Sequence, residues 1–204
     1  DIVKAFDVSL ILYAEHSFNV STFTARTITS SLSDIHGAIT GAIASLKGPL
    51  HGGANEEVMH MMNKIKKPEN AHKWINKALD NKDVVMGFGH RVYKSGDSRV
   101  PTMREYFGKV AKIKKDKKFQ KIYDIVEKVM IDRKDIHPNV DYPTGPTYHL
   151  MGFDTDFFTP IFVISRITGW SAHIIEQHAA NKLIRPLASY KGSQHRKVIQ
   201  LNQR

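Results

Sequence analysis

Phe157-Phe158-Thr159-Pro160-Ile161-Phe162-Val163-Ile164-Ser165-Arg166-Ile167-Thr168-Gly169-Trp170, continuing to Glu176, is a long apolar and aromatic segment interrupted by Pro160 and Arg166. It lacks the period-two alternation of a half-buried strand, and such alternation is nearly missing from the whole chain. The chain therefore reads as all-α. Working back from this segment, His137 to Pro146 reads as a turn-rich loop, and Phe119, Ile122, Tyr123, Val126, Val129 and Met130 mark an amphipathic helix. Pro101 suits a helix start, with Met103, Tyr106, Phe107 and Val110 on one face. Pro68 opens another helix through Trp74, Ile75 and Leu79. Glu56-Glu57 open one through Val58, Met61, Met62 and Ile65. His36 to Leu46 is rich in small residues (Gly37, Ala38, Gly41, Ala42), which permit close helix–helix approach. Ser21-Thr22 cap a helix expected to run through Ile28, Leu32 and Ile35, and Ala5 to Tyr13 reads as a buried helix. The end, Asn181 to Arg204, is polar and reads as extended.

The chain has 204 residues, 41% of them hydrophobic, enough for one large domain or two small ones. Cysteine is absent, which excludes disulfides, thiolate metal sites and a cysteine nucleophile in this segment. No apolar run reaches the roughly 20 residues needed to span a bilayer. The opening Asp1-Ile2-Val3-Lys4 lacks a secretory pattern and an initiator methionine, so a longer product is expected. The formal net charge of +10 fits nucleic acid, anionic lipid or a polyanionic small molecule. Its two clusters, at 64–67 and 112–118, read equally as solvated helix ends.

Chemistry-bearing residues gather at breaks between helices. Met86-Gly87-Phe88-Gly89-His90-Arg91-Val92-Tyr93-Lys94 puts a histidine in a glycine-bracketed turn, and Arg91, Lys94 and Arg99 suggest an anionic ligand. His51 precedes Gly52-Gly53, and Asp141 lies in the loop with Pro138. Each residue alone is more simply read as a polar loop residue facing water. Together, two histidines and a carboxylate could ligate a metal, although the spacing matches no metal motif. They also suit acid–base chemistry in which a carboxylate takes a proton from carbon and imidazoles stabilise charge on oxygen. Arg166, within an apolar segment, needs an anionic partner, either a protein carboxylate or a substrate. Arg185, between Ile184 and Pro186, is open in the same way.

Leu50-His51-Gly52-Gly53-Ala54-Asn55-Glu56, then Gly87-Phe88-Gly89-His90-Arg91-Val92-Tyr93, then Pro138-Asn139-Val140-Asp141, in this order and separation, resemble citrate synthases and 2-methylcitrate synthases. The resemblance includes Tyr13-Ala14-Glu15-His16 with Asn19 and Ser21-Thr22, Phe158-Thr159-Pro160, Ser165-Arg166 with Gly169-Trp170, and Ile184-Arg185-Pro186. It implies an all-α homodimer and matches the C-terminal half of chains about twice this length. Residues 1–53 and 146–204 would belong to a large domain, and 54–145 would form the small one.

The resemblance also implies roles. Asp141 matches the base that deprotonates the acyl-CoA, His51 the histidine at the thioester oxygen, and His90 the one at the oxaloacetate ketone. His16, Arg99 and Arg166 match residues that hold oxaloacetate, and Arg185 one that reaches the partner subunit's site. Val84, Val85, Met86, Gly87 and Phe88 match backbone that contacts CoA, and Lys94 a phosphate contact. The thioester is a substrate, with no resident cofactor or metal. Asp97-Ser98-Arg99 and Asp141-Tyr142-Pro143-Thr144-Gly145-Pro146 resemble the 2-methylcitrate branch, so propionyl-CoA or acetyl-CoA is the expected acyl donor. A strict citrate synthase of the tricarboxylic acid cycle and an inactive or regulatory helical fragment are the alternatives. The expected location is the cytoplasm (the mitochondrial matrix in a eukaryote), without membrane or nucleic-acid partners. Few basic residues alternate with aromatics, which counts against a nucleic-acid-binding module.

Overall fold

The computed structural model describes residues 1–93, 95–193 and 197–204. Among these the chain is helical and has no strand, so the all-α expectation holds. Phe88 and Pro138 form an isolated antiparallel bridge. The helices are α1 (Ile2–Ala14), α2 (Val20–Ser30), α3 (Ile35–Leu46), α4 (Ala54–Ile65), α5 (Pro68–Asp80), α6 (Val100–Ile113), α7 (Lys118–Lys134), α8 (Asp141–Met151) and α9 (Phe158–Ala179). No helix among the described residues is long and apolar enough to cross a membrane.

The segment that opens the sequence argument becomes α9. Pro160 sits in its first turn, where a missing N–H costs little, and the Thr159 amide donates to Glu56 of α4 at 3.0 Å. Its buried stripe includes Phe158, Phe162, Arg166, Gly169, Trp170 and Ile174. Helices α1, α2 and α3 pack on this stripe. Gly169 is required there, because a Cβ would lie 2.3 Å from the Ala14 carbonyl oxygen. That close approach sets where α1 ends and where the Glu15–Asn19 turn begins.

Three expectations need correction. The first helix is not buried all round: Ala5, Ser9 and Tyr13 are covered, while Val3 and Ile11 face outward. The second starts at Val20, ahead of the expected Ser21-Thr22 cap, because the Asn19 carboxamide oxygen caps it by accepting from the Thr22 amide at 3.1 Å. It also stops at Ser30: Leu32 takes a positive φ, and Asp34 caps a new helix by accepting from Gly37. The small-residue face of α3 is used within the chain, since a Cβ on Gly41 would lie 2.2 Å from Ile28 Cδ1 of α2.

The third correction is the largest. Residues 141–146 form not a loop but the start of α8, which runs to Met151 across residue 145. Pro143, Gly145 and Pro146 have poor helix propensity, yet every residue from Tyr142 to Tyr148 is buried, and tertiary packing overrides the local preference. The Thr144 and Thr147 hydroxyls donate to the Val140 and Pro143 carbonyls inside this helix. Gly145 is needed where α4 crosses, because a Cβ would lie 2.8 Å from the Asn55 carbonyl oxygen.

After α9 the described residues are irregular apart from a 3-10 turn at Leu201–Gln203, and all but the partly covered Ile184 are exposed. It is tied back where Asn181 donates to the Ser30 carbonyl and the Ile184 amide to the Ser30 hydroxyl, both at 3.0 Å.

Candidate active site

The glycine-bracketed turn lies antiparallel to the segment that leads into α8. The Gly89 amide donates to His137 O and the Asn139 amide to Gly87 O, each at 2.9 Å, and the Asn139 carboxamide donates to Gly89 O at 3.0 Å. Gly87 and Gly89 have φ of 83° and 78°, as the turn requires. Gly87 is also packed tightly, for a Cβ would sit 2.7 Å from Val58 of α4 and 2.9 Å from Tyr142 of α8. These contacts hold the His90 turn against the helix start that carries Asp141.

His90 is oriented by its own loop. Its Nδ1 accepts from the amides of Val92 (3.1 Å) and Tyr93 (3.3 Å). A nitrogen that accepts from backbone N–H holds no proton, so the neutral ring carries it on Nε2. That Nε2 faces Nε2 of His16 at 3.3 Å. Burial lowers the His90 pKa, and the Arg99 charge adds to the effect, while Asp97 opposes it.

His51 is oriented from another helix. The Ser21 amide at the start of α2 donates to its Nε2 at 3.2 Å, and the Ser21 hydroxyl lies 2.8 Å from the same nitrogen. Trp170 of α9 braces that hydroxyl by donating to it at 3.2 Å. The His51 proton therefore sits on Nδ1, which no described residue contacts through a hydrogen bond. Burial, followed by the charge of Arg166, lowers the His51 pKa to about 4, so the ring is neutral at physiological pH.

Asp141 opens α8, where the helix dipole favours a carboxylate. Its Oδ1 accepts from the Tyr13 hydroxyl at 2.6 Å, and its amide donates to the Asn139 side chain. Burial nevertheless pushes its pKa up to about 6, against the Tyr13 hydrogen bond and the charges of Arg99 and Arg166. Arg166 is 1% exposed. Its Nε donates to the Tyr13 carbonyl at 2.5 Å and its guanidinium lies 4.7 Å from the Phe162 ring centroid. Among the described residues its Nη1 has no hydrogen-bond partner, and no carboxylate lies within ion-pair distance. Burial, reinforced by Arg99, lowers its pKa to about 10.

Arg99 is already paired: Nε and Nη2 grip the two oxygens of Asp97 at 3.0 and 2.7 Å. Burial works against its charge, but Asp97 more than compensates and its pKa is raised. Asp97 also accepts the Val140 amide at 3.1 Å, which ties the start of α6 to the residue before Asp141. His16 lies beside this pair, and burial with the Arg99 charge lowers its pKa to about 4.

His16, His51, His90, Arg99, Asp141 and Arg166 are thus brought together from three loops (His16, His51, His90), the starts of α6 and α8 (Arg99, Asp141) and the middle of α9. Arg185 is not: it is exposed in the tail. Val84 is exposed, Val85 and Gly87 are buried, Met86 and Phe88 are partly covered, and Lys94 lies outside the described residues. No metal-binding group of three or more His, Cys, Asp or Glu occurs among the described residues. Sequence reading gave no site role to Tyr13, Ser21 or Phe162, and took Asp97 only as part of the branch-like Asp97-Ser98-Arg99 stretch. The available signals were that Tyr13 precedes His16 by three residues and Asp97 precedes Arg99 by two.

Residues 1–187 match the family signature of the citrate synthase C-terminal domain. The chain belongs to the citrate synthase family. It is 59% identical to 2-methylcitrate synthase 2 of Corynebacterium glutamicum over 99% of this chain and 53% of that protein. It is 54% identical to a citrate synthase of Mycolicibacterium smegmatis over 97% of this chain and 53% of that protein. Among solved structures it resembles citrate synthase from Thermoplasma acidophilum in ternary complex with carboxymethyl coenzyme A and oxaloacetate (TM-score 0.91, 38% identity, all of this chain and 55% of that one). The chain spans about half the length of the curated relatives it matches. Within this half of a citrate synthase fold, the gathered histidines, arginines and carboxylate form one polar cluster walled by Tyr13 and Phe162, whose ring centroids are 3.9 Å apart.

Proposed function

We propose that the protein containing this chain condenses propionyl-CoA or acetyl-CoA with oxaloacetate and hydrolyses the product thioester, giving 2-methylcitrate or citrate plus CoA. The observation that carries this reading is Arg166. A guanidinium buried with no carboxylate in ion-pair contact among the described residues is costly, and a carboxylate of oxaloacetate supplies that contact and occupies Nη1. His16 and Arg99 complete the oxaloacetate subsite. In this mechanism Asp141 takes the α-proton of the thioester, and Nδ1–H of His51 donates to the enolate oxygen that forms. The new nucleophilic carbon attacks the oxaloacetate ketone, whose oxygen receives the proton on Nε2 of His90. Water then cleaves the thioester.

The names of the two Corynebacterium glutamicum relatives, 59% and 54% identical, favour propionyl-CoA, and that of the Mycolicibacterium protein keeps acetyl-CoA within the reading. One methylene in an apolar pocket discriminates by only about 1–3 kcal/mol, so overlap is expected. The Val84–Phe88 backbone and Lys94 form the proposed CoA contacts, Lys94 by its sequence match alone. A homodimer in which Arg185 serves the partner subunit's site accounts for its exposed position here. The proposed small domain, 54–145, draws support from the packing of α5 on α7 and of α4 and α6 on α8; it meets the rest of the chain where α6 packs on α1 and α4 on α9.

The test is an assay of the full-length protein for CoA release from each thioester with oxaloacetate. Arg166→Leu should raise the oxaloacetate KM at least roughly tenfold while melting within a few degrees of wild type. Absence of oxaloacetate-dependent CoA release overturns the proposal. An unchanged KM with lost stability shows that Arg166 serves the fold instead.

A further inference from the structure

We propose that Tyr13 is a positioning residue for Asp141: its phenol holds one carboxylate oxygen, so that the other is presented to the substrate proton. The inference rests on Asp141 being the base. The geometry is specific. Tyr13 is wholly buried at the end of α1, and its hydroxyl donates to Oδ1 of Asp141 at 2.6 Å. No described residue hydrogen-bonds Oδ2. The ring cannot swing away, because Phe162 packs on it with centroids 3.9 Å apart. The Tyr13 carbonyl meanwhile accepts from Nε of Arg166. One residue therefore references the carboxylate and the substrate-holding guanidinium to the same backbone position, and through α1 to the His16 turn three residues on.

The contact also has an electrostatic consequence. The groups facing Asp141 are Tyr13 from α1, Arg166 from α9, Arg99 and Asp97 from the start of α6, and Tyr148 from α8 itself. Burial favours the protonated acid, whereas the Tyr13 hydrogen bond and the two arginines favour the carboxylate. Burial and the nearby Asp141 hold the Tyr13 phenol well above its ordinary range, so it stays a donor. A hydrogen bond to a carboxylate weakens when the carboxylate gains a proton, so the phenol lowers the pKa at which the base is silenced. Removing the hydroxyl should therefore raise that pKa.

The experiment is Tyr13→Phe in the full-length protein, with kcat and KM for both substrates measured from about pH 5 to pH 9. Phenylalanine keeps the ring packed on Phe162. The acidic limb of kcat should move up by about one pH unit, with kcat at neutral pH down roughly tenfold and the oxaloacetate KM within about twofold of wild type. A site-specific Tyr13→3-fluorotyrosine replacement, which retains shape and acidifies the phenol, should move the limb the other way. It keeps the test decisive should Tyr13→Phe fold poorly. In an Asp141→Asn background, Tyr13→Phe should cost nothing further. If wild type turns over and Asp141→Asn does not, but neither Tyr13 variant shifts the limb, the positioning role falls and the reading of the site stands. If wild type releases no CoA, or Asp141→Asn stays active, the reading of the site falls and this role with it.

Discussion

His51 and His90 hold their protons by opposite means. His90 accepts from amides two and three residues along its own loop, which leaves the proton on Nε2. His51 accepts from an amide thirty residues earlier, at the start of another helix, which leaves the proton on Nδ1. His90 sits on a turn whose glycines take positive φ, beside a half-covered groove lined by Tyr93, Asp97, Ile136 and His137. His51 is fixed through Ser21 and Trp170 into the packed cluster of α2 and α9. A backbone amide is a dependable way to set an imidazole tautomer because it can only donate. One tautomer here is a local property and the other a tertiary one, so damage to packing should reach His51 before His90.

The most severe way to break the comparison is to remove the event both imidazoles would serve. Asp141→Asn keeps the shape of the side chain but cannot accept a proton. We expect kcat to fall by on the order of 10³-fold, with the oxaloacetate Kd little changed. Turnover within roughly tenfold of wild type would take Asp141 out of the mechanism.

A finer test deletes the amides themselves. Proline is tolerated in a first helical turn, so Ser21→Pro strips His51 of both its partners while α2 retains its Asn19 cap. We expect kcat to drop by about 10²-fold. Val92→Pro leaves the Tyr93 amide on His90, and only a few-fold loss is expected. Equal losses would mean that the two histidines are held no differently.

The smallest effects concern protonation. Nitrogen NMR shifts should report a proton on Nδ1 of His51 and on Nε2 of His90, with His51 staying neutral down to about pH 5 because its pKa is lowered to about 4. His16 and His51 bind fewer protons folded than unfolded between about pH 6.5 and 4, so their contribution to stability is complete above that window and falls with pH through it. Asp141 acts with the opposite sign. Its raised pKa makes the folded state bind more protons between about 3.8 and 6, which offsets part of the loss. Denaturant titrations should therefore show a steeper acid loss in Asp141→Asn than in wild type, and a shallower one would reverse the assigned signs.

The sequence alone determined the helical class, the GFGH turn with its positive-φ glycines, and which histidines, arginines and carboxylate to watch. Those features depend on spacing and residue type over a few positions, and Pro68, Pro101 and the Gly87–Gly89 pair state them directly. It misread 141–146, because proline and glycine density reports local preference, whereas α8 is helical through burial against α4 and α6. Only the tertiary structure decided that Arg166 pairs with no carboxylate among the described residues, that Ser21 sets the His51 tautomer, and that Tyr13 reaches Asp141 across 128 residues. Hydrogen bonds and counter-ions of that kind are made between elements far apart in the chain, and nothing in the local spacing of residues encodes which of them will meet.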